Sequence, residues 1–229
     1  MTSSISAPTS AGKATESGKG TYHHGELRKL LMGLALARIA IDGTEKFSLR
    51  ALAREANVSA TAPFRHFTNK HALFAALATA GFQQLGERVS AVARTSQPVD
   101  QRLLAAAITY IEFAEDNPVA YQLMFGAILG DFSEFEGLGA AASGAYEALD
   151  KLLIEVVEVK QLHFDELVLG GLIWSAIHGV ASLRLNVAQQ DESEKVPLMP
   201  RSRQAIVAMT DDLKANLKIM IDGLLGQSS

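Results

Sequence analysis

Cysteine is absent from this chain of 229 residues. Its absence excludes disulfide bonds, zinc sites built on thiolates and cysteine nucleophiles. Charge is moderate, since 20% of the residues are charged and 48% are apolar, which is typical of a soluble globular protein. Residues 1–21 lack the apolar stretch of a secretory signal and are biased toward Ser, Thr, Gly and Ala, so we expect a disordered leader there.

Long apolar runs are also scarce. One run, residues 167–183 (LVLGGLIWSAIHGVASL), carries no formal charge, but a membrane-spanning helix needs about 20 apolar residues. The run also includes Ser175, His178 and Ser182. A helix that is apolar nearly all round is typically buried on several sides, so we expect a core helix of a cytoplasmic protein without a membrane segment.

Signals for β-strands are nearly absent, because the apolar residues recur at spacings of three and four rather than two. This pattern predicts an all-α protein of about nine helices: three in a small N-terminal bundle, one connector and five in a larger C-terminal bundle. Outside the N-terminal bundle we expect helices over residues 70–94, 101–116, 146–160, 165–186 and 202–225, and a short apolar segment from 117 to 130. Residues 132–144 are expected to form a loop or a poorly ordered helix start, and residues 189–200 a surface loop.

The most informative segment is residues 47–67, FSLRALAREANVSATAPFRHF. Apolar residues at helical spacing are followed by a break at Asn57 and by a second short helix, over residues 59–67, with Phe64 and Phe67 on its inner side. Ala53 provides a small side chain where the two helices must nearly touch. This geometry predicts a helix-turn-helix, although an ordinary helical hairpin is the alternative.

Polar residues that precede these helices predict their starts. Ser48 and Ser59 each stand one residue before a helix, where a hydroxyl is able to accept from free backbone N–H groups. Thr68 and Asn69 offer a cap for the long connector helix. Asn57 tolerates the left-handed backbone that the tight turn requires.

Charge is distributed unevenly along the chain. Residues 1–80 contain ten Lys/Arg and five acidic residues, a net charge of +5, whereas the remainder contains eleven and twenty, a net charge of −9. Four of the six histidines also lie in the basic part. A basic module joined to an acidic one is typical of a DNA-binding domain fused to a separate sensing or pairing domain.

These motifs resemble the tetracycline-repressor (TetR) family of bacterial one-component transcription regulators. The resemblance is tightest over residues 22–78, in YHHGELR, FSLRALAREANVS and PFRHFTNKHALFAAL. It implies a helix-turn-helix DNA-binding domain at residues 22–69. Residues 70–229 would then form a ligand-binding and dimerisation domain, with residues 70–94 as its connector helix.

Two further comparisons with the family concern single positions. Trp174, His178 and Gly179 resemble the Trp–His–Gly type of C-terminal regulatory domain. The chain departs from the family at Asn57, where glycine is usual, and in its bland recognition surface at residues 60–62. The first departure is harmless because Asn tolerates the turn, but the second leaves the base specificity open.

The resemblance places the recognition helix in the major groove of double-stranded DNA. Ala60 and Thr61 would give weak direct readout, while Arg65 would read a guanine or hold a phosphate. Tyr22, His23 and Arg28 would add contacts from the arm before the first helix. The expected DNA-binding residues are Ser48, Arg50, Ser59, Ala60, Thr61, Phe64, Arg65, His66 and Lys70.

Pairing of two chains is expected, because one helix in one groove reads few bases. Small residues line one side of the uncharged helix, and an apolar stripe follows the last helix, so four helices from two subunits would form the interface. The alternative is that both stripes are intramolecular core. The expected interface residues are Gly171, Ser175, Gly179, Ser182, Met209, Leu213, Leu217 and Met220, with Ile206 and Leu224 on the same stripe.

Aromatic residues crowd the middle of the acidic part and predict a site for a small apolar effector between helices. The alternative is plain core packing. The expected lining residues are Tyr110, Phe113, Tyr121, Met124, Phe125, Phe132, Trp174 and His178. With such an effector the sequence predicts a repressor that binds a palindromic operator as a homodimer and is released by the ligand.

Two other functions compete with that of a repressor. An enzyme is disfavoured, because the sequence has no phosphate-binding loop, nucleophile elbow or paired-carboxylate site. The His23/His24 and His66/His71 pairs lack the i, i+4 spacing of metal ligands on one helix face, so neither a metal site nor a cofactor is expected. A DNA-binding regulator or adaptor controlled by a protein partner, with no small-molecule effector, is the remaining alternative.

Overall fold

The computed structural model describes residues 24–163, 165–192 and 200–226. These ranges contain nine α-helices and no strand, which confirms the all-α prediction. The predicted leader, the arm residues Tyr22 and His23, and most of the predicted 189–200 loop lie outside the described residues. The helices are α1 His24–Asp42, α2 Leu49–Glu55, α3 Lys70–Ala93, α4 Val99–Asp116, α5 Pro118–Phe125, α6 Leu138–Lys160, α7 Glu166–Glu192, α8 Pro200–Asp211 and α9 Leu213–Leu224.

The recognition segment differs from the predicted helix over residues 59–67. After a turn it forms only a 3-10 helix, Pro63–Arg65, because Pro63 has no N–H to donate back to the preceding turn. The backbone N–H groups of Arg65 and His66 instead donate to carbonyls three residues earlier. Phe67 is buried as predicted, but Phe64 is 45% exposed, so its predicted inner position is wrong.

The predicted helix starts are only partly correct. Ser48 is the N-cap residue of α2, yet its side chain makes no capping hydrogen bond. The Ser59 hydroxyl lies 3.3 Å from the Thr61 hydroxyl instead of capping a helix. Asn69 does cap α3, since its side-chain oxygen accepts from the Ala72 N–H at 2.9 Å. Asn57 has φ 54°, the left-handed turn conformation that the sequence predicted.

Helix α3 joins the two ends of the fold. It packs against α1 near its start and against α4, α5 and α6 further along. Its buried residues belong to one continuous apolar cluster that includes Phe74 and Leu85. At Gly86 a Cβ would lie 3.1 Å from the Ala145 Cα, so glycine allows α3 and α6 to approach closely.

The C-terminal bundle corrects three predicted boundaries. Helix α6 begins at Leu138, directly after Gly137 with φ 78°, so the second half of the predicted 132–144 loop is helical. Helix α7 continues to Glu192 and α8 begins at Pro200, which shortens the predicted 189–200 loop at both ends. The predicted last helix is broken at Asp212, whose carboxylate accepts from the Ala215 N–H at 3.1 Å and caps α9.

Over residues 166–188, only one side of α7 is buried. That side carries the core residues Leu169, Ile173, Ile177, Ala181 and Leu185. The opposite side exposes Leu167, Val168, Leu172 and Leu183, so the predicted burial on several sides is wrong for a single chain. The stretch Glu166–Ala188, with mean hydropathy 1.4, is long and apolar enough to cross a membrane, a test that core helices of soluble proteins also pass.

Candidate nucleic-acid interface and ligand cavity

The expected DNA-binding residues remain accessible around the helix-turn-helix. His66 and Lys70 are half-buried, and the other seven are exposed. Lys70 is the first residue of α3, where free backbone N–H groups and the helix dipole favour a phosphate. These residues therefore offer a cationic helix start beside an exposed recognition segment.

Charge pairing separates the cations of this domain into two groups. Within the described ranges, Arg50, Arg54, Arg65 and Lys70 form no ion pair. Arg38, in contrast, lies 2.9 Å from Asp42 and 4.0 Å from Glu55, and so links α1 to α2. The unpaired group includes Arg54, an exposed cation in the last turn of α2 that the expected DNA-binding set did not contain.

Arg28, which is expected to contact DNA from the arm, also makes contacts within the domain. Its guanidinium lies 5.4 Å from the centroid of the Phe67 ring. This contact is a cation–π interaction that holds α1 against the end of the recognition segment. The same guanidinium contacts the Met32 sulfur at 3.3 Å. Its side chain therefore braces the domain.

A cavity of about 380 Å³ lies inside the C-terminal bundle. Five of the predicted residues line it: Tyr110, Met124, Phe125, Phe132 and Trp174. The sequence did not anticipate the contributions of α3 and α6, whose apolar spacing looks like ordinary core. The remaining lining residues are Phe82, Leu85, Val89, Ala106, Gly126, Ala142, Ala145, Tyr146, Leu149 and Ile177.

Three predicted ligand residues do not line the cavity. Phe113 is fully buried and lies 5.6 Å, ring centroid to guanidinium, from Arg88, which places it in the core. Tyr121 and His178 stand directly behind the wall, where the His178 ring lies 4.9 Å from Phe125 and 5.5 Å from Trp174. Trp174 itself is 36% exposed and so stands where the cavity meets solvent.

A polar group at the cavity wall consists of Tyr110, which lines the cavity, and of Tyr121 and His178 behind it. The His178 Nδ1 atom lies 2.9 Å from the Tyr110 hydroxyl and 2.7 Å from the Tyr121 hydroxyl. The two hydroxyl oxygens are 3.3 Å apart. Burial raises the pKa of both phenols and lowers the pKa of His178, so all three side chains are uncharged at neutral pH.

A second, more polar cleft of about 840 Å³ separates the recognition segment from the C-terminal bundle. Arg28 and Phe67 stand on the DNA-binding side, and Glu134 and Glu136 on the opposite side. The segment 126–136 lies between the two spaces, because Gly126 and Phe132 line the apolar cavity while residues 127–130 line the cleft.

The expected dimer surface is accessible on α7. Ser175 is exposed, and Gly171, Gly179 and Ser182 are half-buried. A Cβ at Gly171 or Gly179 would meet no atom within 4 Å, so another helix has room to approach there.

The expected stripe on the last two helices is only partly available. Leu217 is 1% exposed and packs in its own subunit's core, so its assignment to the interface is wrong. Met209, Leu213 and Met220 are half-buried. Ile219, which is not part of the expected stripe, is 70% exposed on α9.

Comparison with known proteins connects these sites to a family. The family described as "Bacterial regulatory proteins, tetR family" matches residues 32–77, and "Tetracyclin repressor-like, C-terminal domain" matches residues 103–196. The nucleoid occlusion factor SlmA of Enterobacter sp. (strain 638) is 25% identical over 170 residues, which cover 72% of this chain and 85% of SlmA.

Solved structures share the whole fold. A protein of unknown function from Rhodococcus sp. RHA1 is 26% identical, with a TM-score of 0.65, and the match covers 86% of this chain and 98% of that one. The regulator FadR from Bacillus subtilis, solved with stearoyl-CoA, is 14% identical, with a TM-score of 0.64 and coverage of 88% and 99%. Since both family matches and the exposed helix-turn-helix agree, the chain belongs to the TetR family of DNA-binding transcription regulators.

Proposed function

We propose that this regulator is a repressor that binds a palindromic operator as a homodimer and releases it when a small apolar effector fills the cavity. The observation that carries the proposal is the course of α3. Its first residue, Lys70, is one of the proposed DNA contacts, and its later residues Phe82, Leu85 and Val89 line the cavity. One continuous helix therefore touches both sites.

Binding to DNA would divide between positioning and readout. Arg50, Arg54 and Lys70 are suited to phosphates, which fix the protein on the duplex and make binding salt-dependent. Thr61 and Arg65 are suited to base edges. The resulting direct readout is sparse, so sequence-dependent DNA shape would contribute to specificity.

Pairing of two subunits would use the exposed face of α7 together with α9. Leu172 on α7 and Ile219 on α9 are exposed in the single chain, and burying them in a dimer removes apolar surface from water. Homodimers are typical of the family. Two subunits would present two recognition segments to successive major grooves, which explains the expected palindrome.

Release by an effector requires a different affinity of the ligand for two shapes of the bundle. A ligand against Phe82 and Leu85 would press on α3, and one against Gly126 and Phe132 would move the segment that faces the DNA-binding domain. A tenfold loss of operator affinity needs only about 1.4 kcal/mol of coupling. The FadR structure with stearoyl-CoA supports ligand binding in this fold.

A second candidate function comes from the curated relatives, which are named nucleoid occlusion factors. In that case the chain would be a nucleoid-associated DNA-binding regulator controlled by a protein partner, with no small-molecule effector. The apolar cavity favours the first candidate. An empty cavity lowers the stability of a core, and a ligand that fills it would offset this loss. The Trp174, His178 and Gly179 pattern supports a Trp–His–Gly type of regulatory domain, and both candidates act in the cytoplasm.

A thermal-shift screen followed by a DNA-binding assay separates the two candidates. Small apolar molecules that raise the melting temperature of the full chain are added to its complex with a DNA duplex selected from random sequences. The repressor proposal predicts that these molecules lower the fluorescence anisotropy of the labelled duplex. Stabilising molecules that leave DNA binding unchanged would contradict it and favour the partner-controlled regulator.

A further inference from the structure

The chemistry of the cavity wall restricts the ligand. No charged side chain is among the lining residues in the described parts of the chain. The wall is made mainly of Phe, Leu, Val, Ile, Ala and Met carbons, so a carboxylate, phosphate or ammonium group inside it would lose its water without gaining a counter-charge. An uncharged ligand therefore fits this cavity and a charged one does not.

The two phenol hydroxyls of the polar group at the cavity wall differ in how firmly their protons are held. An uncharged imidazole offers Nδ1 either as one acceptor or as one donor. If Nδ1 accepts, Tyr110 and Tyr121 compete for it, because their own oxygens are 3.3 Å apart, beyond the usual O–H···O distance. If Nδ1 donates, both hydroxyl protons need another acceptor, and Ser182 offers one to Tyr121. In either tautomer the Tyr110 hydroxyl keeps the longer contacts of the two phenols, 2.9 Å to Nδ1 and 3.3 Å to the Tyr121 oxygen, and an acceptor in the cavity is able to replace them.

The positions of the phenols decide which hydroxyl proton a ligand in the cavity is able to reach. Tyr121 makes the shorter contact with His178, 2.7 Å against 2.9 Å, and does not line the cavity. Tyr110 lines the cavity. The third phenol of the region, Tyr146, packs its hydroxyl against α7, where a Cβ at Gly170 would come within 2.6 Å of it. The other donor at the wall, the Trp174 indole N–H, interacts with the Tyr110 hydroxyl. Tyr110 therefore carries the proton that a ligand in the cavity is able to reach.

We infer that the cavity takes an uncharged, mainly apolar molecule with one hydrogen-bond acceptor, such as a ketone, ester or ether oxygen, and that the Tyr110 hydroxyl donates to it. The volume of about 380 Å³ lies near the small end of ligand pockets, about 300–1,000 Å³. This inference rests on the proposed role of the cavity as the effector site and adds the class of ligand.

Three probes with one ring skeleton test the inference: cyclohexyl methyl ketone, ethylcyclohexane and cyclohexanecarboxylate. Trp174 is the single tryptophan of the chain and stands at the cavity, so its fluorescence reports binding to the full-length protein. We expect the ketone to bind at least tenfold more tightly than the carboxylate. Equal affinity of the two, or no binding of the ketone, would overturn the inference.

Two matched variants identify the donor. Tyr110→Phe and Tyr121→Phe each remove one hydroxyl from the same polar group, but only the first alters the cavity wall. Tyr110→Phe should weaken the ketone about fivefold, the effect of one net hydrogen bond, and leave ethylcyclohexane within twofold. Tyr121→Phe should leave both probes within twofold. A ketone affinity that Tyr110→Phe does not change, or that both variants lower equally, would refute the role of Tyr110.

DNA binding by the same preparations keeps the two proposals apart. If the ketone fails to bind while the operator is still bound, the proposed ligand class is wrong but the proposal of a DNA-binding regulator is not affected. If the probes behave as expected but no duplex is bound, the proposed repressor function is wrong but the proposed ligand class is retained. A wild-type helix content and a single cooperative thermal transition for both variants, followed by circular dichroism, show that the fold is intact.

Discussion

Tyr121 on α5 and His178 on α7 are joined by a 2.7 Å contact between the phenol oxygen and Nδ1, and their rings stack with an interplanar angle of 25°. The contact connects residues 57 positions apart in the sequence. It requires an uncharged imidazole if Nδ1 is to accept. The contact between α5 and α7 at the cavity wall therefore includes His178, whose charge state changes with pH.

The first prediction concerns this pH dependence. Burial lowers the pKa of His178 in the folded protein, so the unfolded chain takes up its proton first as the pH falls through about 6.5. The contribution of His178 to stability is thus present above that pH and is lost below it. We expect the free energy of unfolding in urea to fall more between pH 7.5 and 5 for the wild type than for His178→Gln. Parallel curves for the two proteins would contradict this.

The second prediction fills the cavity. Ala142 lines it, whereas the next residue, Ser143, is exposed on the same helix. Ala142→Phe places a ring in the cavity, so a ligand that shifts the melting temperature of the wild type should no longer do so. Operator affinity should stay within about threefold of wild type. Ser143→Phe is the control and should keep the ligand response; a response retained by Ala142→Phe would argue that ligands bind elsewhere.

The third prediction separates phosphate contacts from base readout. Lys70→Ala should weaken binding to all duplexes alike and reduce the slope of log affinity against log salt by about 1. Thr61→Ala should lower affinity only for duplexes with the preferred base at one or two positions. Lys151→Ala, an exposed cation paired with Glu147 on α6, is the control without effect. Fluorescence anisotropy on operator and scrambled duplexes measures all three, and equal losses for Lys70→Ala and Thr61→Ala on both duplexes would refute the division.

The fourth prediction concerns the dimer. Ile219 is 70% exposed on α9 and Ile41 is 79% exposed at the end of α1. Ile219→Asp would bury a carboxylate in the proposed interface and should convert a micromolar dimer to a monomer in light scattering. Ile41→Asp introduces the same charge away from that face and should leave the dimer intact. A wild-type monomer at micromolar concentration would exclude the interface itself.

Much of the DNA-binding half could be predicted because its signals are local. The turn at Asn57 and the cap at Asn69 depend on residues within one helical turn, and both predictions were correct. The 3-10 geometry after Ser59 was not predicted, because proline is also common in the first turn of an ordinary α-helix. The missing N–H of Pro63 therefore did not indicate that no α-helix forms there.

The C-terminal half was harder because its features depend on distant neighbours. The glycines at 137, 139 and 144 favoured a loop, so the start of α6 was placed too late. Gly137 is in fact the N-cap residue of that helix, with a left-handed backbone. Apolar spacing along α3 did not reveal that Leu85 lines a cavity, since the same pattern describes a packed core. For the same reason the sequence did not separate Leu217, buried in its own subunit, from the exposed Ile219.

The central claim is that two copies of this chain read one symmetric DNA site, and selection from random DNA tests it most directly. Duplexes bound by the full-length protein at physiological salt should be enriched in an inverted repeat whose half-sites lie about one helical turn, or a multiple of it, apart. Arg65→Ala should relax one position in each half-site. Enrichment of a single unrepeated motif, or of no sequence at all, would contradict the account.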